Sequence, residues 1–397
     1  MQPTNRAAEL ELIALVAMLF ATIALSIDAM LPALSAIGQE LNPAMPDRAT
    51  LVVGVFLIGM GVGTFFTGPL SDAFGRKPII LGGFGFYLVG ALICGMSATL
   101  EGMLIGRFVQ GLAVAGPRIA GVAMVRDLYK GERMAAIMSF VMMVFVLVPA
   151  VAPLVGLGIM SVFDWRGIFF AFALFALVIG TWLAMRQPET LPLQNRKPIS
   201  VSALHSAVVE TFSNRIFRFS VAVQTMVYTA LFSTVSTIQP IYAQSFGIGD
   251  EFALFFAASA LLSMPASYIN ARVLPKFGMR KMVKTAIIMQ MVLSVVAVTV
   301  FFLGGMNVWV FFGWVTSLML SIGFVFGNLN ALAMEPLGHI AGMAASISSA
   351  ASTVLSACLA IPVSLSFDGT PKSLLLGVVT CLIIAHLLMV KLGPRDI

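Results

Sequence analysis

Asp28, Arg107 and Arg118 are the charged side chains that fall well inside otherwise apolar stretches of this 397-residue chain. Low-dielectric surroundings sharpen the chemistry of each. A lone carboxyl can take up and release a proton, and a guanidinium can hold a carboxylate through a planar two-donor fork. Arg118 follows Arg107 by eleven residues, about three helical turns, so the two share a face with Gln110, Gly111 and Val114. A second polar cluster, GPLSDAFGRKP at 68–78, sets Asp72, Arg76 and Lys77 between two apolar runs. Helix ends are where such charges make strong hydrogen bonds.

Other chemistry has no foothold. Cys94, Cys358 and Cys381 lack paired spacing, and His205, His339 and His386 are scattered, so neither a disulfide nor a metal site is expected. No phosphate-cradling glycine loop is present to use ATP, and no nucleophile–base pair suggests an enzyme. No cofactor is expected.

The elements that must carry these side chains follow from composition. Hydrophobic residues make up 59% and charged ones 10%, and the mean hydropathy is +1.01. A soluble chain of this length could not cover its surface with so few charges, so the expected solvent is lipid. Stretches long enough to cross a hydrocarbon core about 30 Å thick recur twelve times. They lie at roughly 11–37, 50–70, 79–98, 101–125, 135–159, 167–185, 217–244, 252–273, 283–304, 308–332, 342–366 and 372–390. None alternates as a barrel strand would, so the fold class is all-α integral membrane. The first run carries Asp28 and no cleavage pattern, and reads as a retained helix.

Orientation follows from where the 23 Lys and Arg fall. Arg107 and Arg118 are inside spans, and only Arg48, Arg166 and Lys372 lie on one side. The other 18, from Arg6 to Arg395, lie on the side shared by both termini, which is expected to be cytoplasmic. The pI of 9.4 therefore reflects loop topology and contact with anionic lipid, and implies no nucleic-acid partner.

The polar stretch 186–218 divides the runs six and six. It suggests halves at 1–190 and 216–397 joined by a cytoplasmic linker at 191–215, and it is expected to tolerate insertion. The halves echo each other: FGRKPII at 74–80 aligns with FGMRKMV at 277–283, matching Phe74, Gly75 and Lys77 to Phe277, Gly278 and Arg280.

Gly68, Asp72, Gly75, Arg76 and Lys77 fit G-x-x-x-D-x-x-G-R-K/R, the loop motif of the major facilitator superfamily, and the chain resembles that family along most of its length. RFVQG, with Arg107, Gln110 and Gly111, and PAVAPLVG, with Pro149, Pro153 and Gly156, are similar to motifs of its twelve-span drug:proton antiporters. Ala152 and Leu157 replace two glycines of the second motif. SIDAMLPAL and ALAMEPLGHIAGMAAS look like the bicyclomycin-resistance (Bcr/CflA) subfamily. The resemblance implies two pseudo-symmetric six-helix halves with a substrate site between them near mid-membrane. It implies a loop that latches the halves together, joined by Asp127 at the end of the fourth helix. It also implies proton-coupled export of small organic molecules such as drugs, by a monomer in the bacterial inner membrane. A proton symporter importing an organic anion is the alternative within transport, and a non-transporting receptor or membrane-embedded enzyme the alternative outside it.

Within that frame Asp28 is the expected proton carrier. Pro32 lacks the N–H that the carbonyl of Asp28 would accept, and Pro240 does the same to Ser236. Asp28 and Arg107 stand at similar depth and are expected to face each other. Burial and a neighbouring guanidinium act on the carboxyl in opposite senses, and a fixed Asp28–Arg107 bridge without proton cycling is the competing reading. Arg107, Arg118, Gln110, Tyr228, Gln224 and Asn328 are the expected substrate contacts, with Thr237, Gln239, Trp314 and Asn330 as further candidates. Two arginines against one acid suit an anionic or zwitterionic substrate. A reporter that is active only in the periplasm, fused after Ile397, is expected to stay silent; activity there would reverse the orientation.

Overall fold

A computed structural model describes residues 6–249 and 251–393, with side chains from residue 9 onward. The side chain of Arg6, together with Arg395 and Ile397, lies outside the described residues. Among the described residues every regular element is helical. The chain divides into two compact units, Met1–Ser200 and Val201–Ile397. Eleven helical stretches among the described residues are long and apolar enough to cross a membrane, and one of them, Val308–Leu365, holds two helices.

The first unit begins with α1 (Arg6–Asp28), a 3-10 turn at Leu31–Ala33 and α2 (Leu34–Leu41). At Pro32, whose missing N–H leaves the Asp28 carbonyl without a helical partner, the helix is completely interrupted. Proline cannot donate back to Asp28, so the ladder stops there, and Ala33 N–H bonds the Met30 carbonyl in a tighter turn. There follow α3 (Leu51–Phe74), α4 (Arg76–Gly95), α5 (Leu100–Leu128), α6 (Gly131–Met160) and α7 (Arg166–Arg186). Thr99 starts α5 by accepting from Gly102 N–H at 3.2 Å. α5 lies between α3 and α4, with α1 on α6 and α4 on α7. The approach of α3 to α5 is close enough that a Cβ on Gly59, Gly63 or Gly111 would overlap a carbonyl of the facing helix. Small residues in such positions let backbones touch where lipid supplies no hydrophobic drive.

The second unit holds α8 (Val201–Ser213), α9 (Arg215–Phe246), α10 (Phe252–Ser263), α11 (Pro265–Phe277), α12 (Met279–Phe302), α13 (Val308–Met334), α14 (Ala341–Leu365) and α15 (Lys372–Leu392). Pro240 stays inside a continuous α9, unlike Pro32 in the first unit. The single run expected at 252–273 is split at Met264, where Pro265 begins a new helix as its first residue. A 3-10 segment, Glu335–Ile340, joins α13 to α14. Packing repeats the plan of the first unit: α9 on α14, α10, α11 and α12 on α13, and α12 on α15. Large apolar side chains such as Phe86, Leu174, Val292 and Val296 face outward, as lipid requires.

Candidate functional site

Arg107 on α5 is fully enclosed, at 0% exposure. Its Nη2 donates to the Ser26 carbonyl at 2.9 Å, its Nε to the Val52 carbonyl at 3.2 Å and its Nη1 to Gln110 Oε1 at 3.0 Å. Its guanidinium carbon lies 4.3 Å from the centre of the Phe56 ring, with Phe169 at 5.9 Å. The break after Asp28 explains the first bond. Ser26 sits in the last turn of α1, where carbonyls have no helical N–H to accept, and a cation there also meets the negative end of the helix dipole. Ser26 Oγ shares a hydrogen bond with Tyr87 of α4, so the same turn is tied to both α4 and α5.

The expected Asp28–Arg107 pair is therefore absent. Every guanidinium bond above goes to a neutral oxygen, and Arg107 offers no surface to a substrate. Gln110, also fully buried, accepts from Arg107 and from Cys94 Sγ at 3.7 Å, so both belong to the packing of α5. Asp28 is 7% exposed and forms no ion pair among the described residues. It ends α1 beside Ala29, whose carbonyl a Cβ on Gly156 would overlap. The PAVAPLVG glycine of α6 thus presses directly on the break, with Pro153 buried and Pro149 half-buried on the same helix. Arg118 is half-buried and donates from Nη2 to Thr64 Oγ1 at 3.0 Å.

At the other end of α3, Gly75 has φ +105°, a conformation that favours glycine, and the chain turns there into α4. Arg76 is buried and donates from Nε to Asp127 at 2.9 Å, and from Nη1 to Ser71 Oγ and to Asp72. Asp127 stands in the last turn of α5. Gly68 lies on α3 one turn before Asp72, and Lys77 donates to the Ala184 carbonyl at 2.7 Å. Glu189 was missed. Its carboxylate accepts from Arg76 N–H at 3.0 Å and Lys77 N–H at 3.1 Å, capping α4 from a distant segment. Thr190 Oγ1 reaches Asp127, and Lys197 N–H bonds the Asp72 carbonyl. Within the stretch 186–218, Glu189, Thr190 and Lys197 are bonded to this loop and its helix ends, and Val201–Ser213 form α8. One signal pointed to Glu189: a helix that starts on glycine needs an acceptor from elsewhere.

In the second unit Gln224 of α9 gathers a polar cluster. Its Nε2 donates to Tyr228 Oη at 2.8 Å and Asn330 Oδ1 at 3.1 Å, and its Oε1 accepts from Ser348 Oγ at 3.2 Å. Tyr228 stacks on Phe326 with centroids 5.5 Å apart. Asn328 instead bonds Asn270 Oδ1 and the Phe324 carbonyl, joining α13 to α11. Trp314 is buried against Ser294 of α12, while Thr237 and Gln239 are buried along α9. Among the described residues no group of three or more His, Cys, Asp or Glu could hold a metal ion.

Residues 14–361 match the model of the Major Facilitator Superfamily. The chain belongs to that superfamily. Its similarity to a bicyclomycin resistance protein homolog of Haemophilus influenzae is 26% identity over 388 residues, covering 94% of this chain and 93% of the relative. Multidrug resistance protein MdtL of Klebsiella pneumoniae is 26% identical over 93% of this chain and 92% of its own. Among solved structures, a D-xylose–proton symporter superposes with a TM-score of 0.75 at 14% identity, covering 96% of this chain and 98% of that one. The human organic anion transporter MFSD10 does so with 0.67 at 16%, covering 98% and 100%. These two show the major facilitator fold. The protein is a multi-pass membrane transporter of this superfamily.

Removing either anchoring group of the first unit tests its role. Arg107→Lys keeps the charge but loses the planar fork that reaches Ser26, Val52 and Gln110 together. Glu189→Ala leaves the start of α4 uncapped, a loss of about 0.5–2 kcal/mol. Thermal unfolding of the purified protein is expected to show a lower midpoint for both variants, with the larger drop for Arg107→Lys. Unchanged midpoints would mean that these bonds do not hold the unit together.

Proposed function

We propose that this transporter exports small organic molecules, antibiotics among them, from the cytoplasm in exchange for protons, with Asp28 as the proton carrier. The observation that carries the reading is the state of Asp28. It is a buried carboxyl at a helix break within a span, and its expected arginine partner is committed elsewhere. A permanently charged and unpaired carboxylate in such a place is costly. A group that exchanges its proton during the cycle meets that constraint. The relatives named for bicyclomycin and multidrug resistance, matched over nearly their whole length, support the substrate class and the direction.

In this reading cytoplasmic substrate favours loss of the proton from Asp28, and protonation from the periplasm favours release. Arg118 is the arginine we assign to substrate, since it keeps some exposure where Arg107 has none, and it suits anionic or zwitterionic compounds. Gln224 and Tyr228 are the contacts we assign in the second unit. The loop built on Asp72, Gly75, Arg76 and Asp127 controls the conformational change. The setting is the inner membrane of a bacterium, with both termini in the cytoplasm and a monomer as the working unit.

Asp28→Asn replaces the carboxyl with an amide that resembles its protonated form but cannot cycle. In energised membrane vesicles given a panel of antibiotics that includes bicyclomycin, the variant is expected to lose uphill accumulation while keeping part of its binding or exchange. Accumulation with the wild-type pH dependence would remove Asp28 from the coupling mechanism.

A further inference from the structure

Glu189 stands just beyond α7, which ends at Arg186, yet its carboxylate serves another part of the first unit. Oε1 accepts from Arg76 N–H at 3.0 Å and Oε2 from Lys77 N–H at 3.1 Å, the first two N–H groups of α4. Oε1 also accepts from Thr190 N–H at 2.8 Å and Leu191 N–H at 2.9 Å, so four backbone donors fix one side chain. The residues that follow continue across the loop. Thr190 Oγ1 donates to Asp127 Oδ2 at 3.2 Å, the same oxygen that Arg76 Nε reaches at 2.9 Å, and Lys197 N–H donates to the Asp72 carbonyl at 3.0 Å. Lys77 Nζ donates to the Ala184 carbonyl of α7. The segment also crowds the hinge. Gly75 joins α3 to α4 in a conformation that favours glycine, and a Cβ there would overlap the Glu189 carboxylate and Arg196 Nη2. The most permissive backbone in the loop is the one this segment presses on.

We propose that residues 189–197 form a strap that makes the ends of α3, α4, α5 and α7 move as one body during transport, with Glu189 as the positioning residue that closes it. The proposal rests on the reading above that this loop controls the conformational change. The Arg76 pairs with Asp72 and Asp127 depend on where the start of α4 stands, and a glycine hinge does not fix that. Glu189 does, by holding the N–H groups of Arg76 and Lys77. A loop so held passes motion from one helix end to the next instead of absorbing it at the glycine. No bond of the strap reaches a group we assign to substrate, so its loss falls on the rate and not on affinity.

Turnover in energised vesicles, measured with the antibiotic of the panel above that the wild type accumulates fastest, tests the strap. Glu189→Gln keeps the size but turns an amide toward N–H donors, and Thr190→Val removes the hydroxyl on Asp127. Glu189→Gln is expected to lower kcat about tenfold and Thr190→Val less, both at unchanged KM, and Glu189→Asp to recover part of the loss. Glu210→Gln, at a carboxylate bonded to His339 in the second unit, is expected to change neither. A second measurement needs no substrate. Spin labels on Phe74→Cys and Met185→Cys, exposed at the ends of α3 and α7, with Cys358→Ser, are expected to give one narrow separation that broadens when Glu189→Gln is added. Asp127→Asn separates the strap from the reading it rests on. Slowing by Asp127→Asn but not by Glu189→Gln means that the loop controls the change without a strap, and wild-type turnover in both removes that control from the loop and the strap with it. Wild-type kcat in Glu189→Gln, a KM that rises with the loss, or an unbroadened separation would overturn the proposal.

Discussion

A buried arginine without a carboxylate partner sets the terms for the first unit. Taking a guanidinium out of water costs several kcal/mol unless its donors and charge are met. Here the Ser26 and Val52 carbonyls, the Gln110 amide oxygen and the face of Phe56 meet them. The Ser26 carbonyl lacks a helical partner because α1 stops at Asp28, and α1 stops because Pro32 follows. The break therefore supplies an acceptor, and the arginine fixes the broken end against α3 and α5. What remains at that end is Asp28, held in place by its backbone and without a counterion among the described residues.

The two units share a plan of helix packing yet finish it with different chemistry. The turn at Gly75 closes on the protein's own carboxylate, Glu189, and on the Arg76–Asp127 and Arg76–Asp72 pairs. The turn at Gly278 is surrounded by cations and open space. The polar groups inside the second unit are neutral amides and hydroxyls around Gln224, whereas the first unit holds charged ones. The two units thus share the geometry that packs helices while their buried polar side chains differ.

Much of this was legible in the sequence, for identifiable reasons. Span lengths follow from the thickness of the bilayer, and the Gly75 loop shows itself because five residues are needed at fixed spacing in one place. The site was less legible. Asp28 and Arg107 lie at similar depth, and depth was the only coordinate the sequence supplied; the rotation of each helix, which turns Arg107 toward Ser26 and Val52, comes from glycine contacts such as Gly111 against Phe56. Glu189 escaped notice because its bonds cross more than a hundred residues, from a segment whose polarity reads as a linker. The full break at Pro32, against the uninterrupted helix at Pro240, depends on how neighbouring residues rebuild the turn, and a proline by itself does not specify that.

The central claim is that Asp28 stands apart from Arg107 and exchanges a proton. Dicyclohexylcarbodiimide, an apolar reagent that adds to protonated carboxyl groups, tests it without requiring a known substrate. Peptide mass spectrometry of the labelled protein should find Asp28 modified, to an extent that falls as the pH is raised. An Asp28 that stays unmodified at every pH would contradict the account and restore a fixed ion pair.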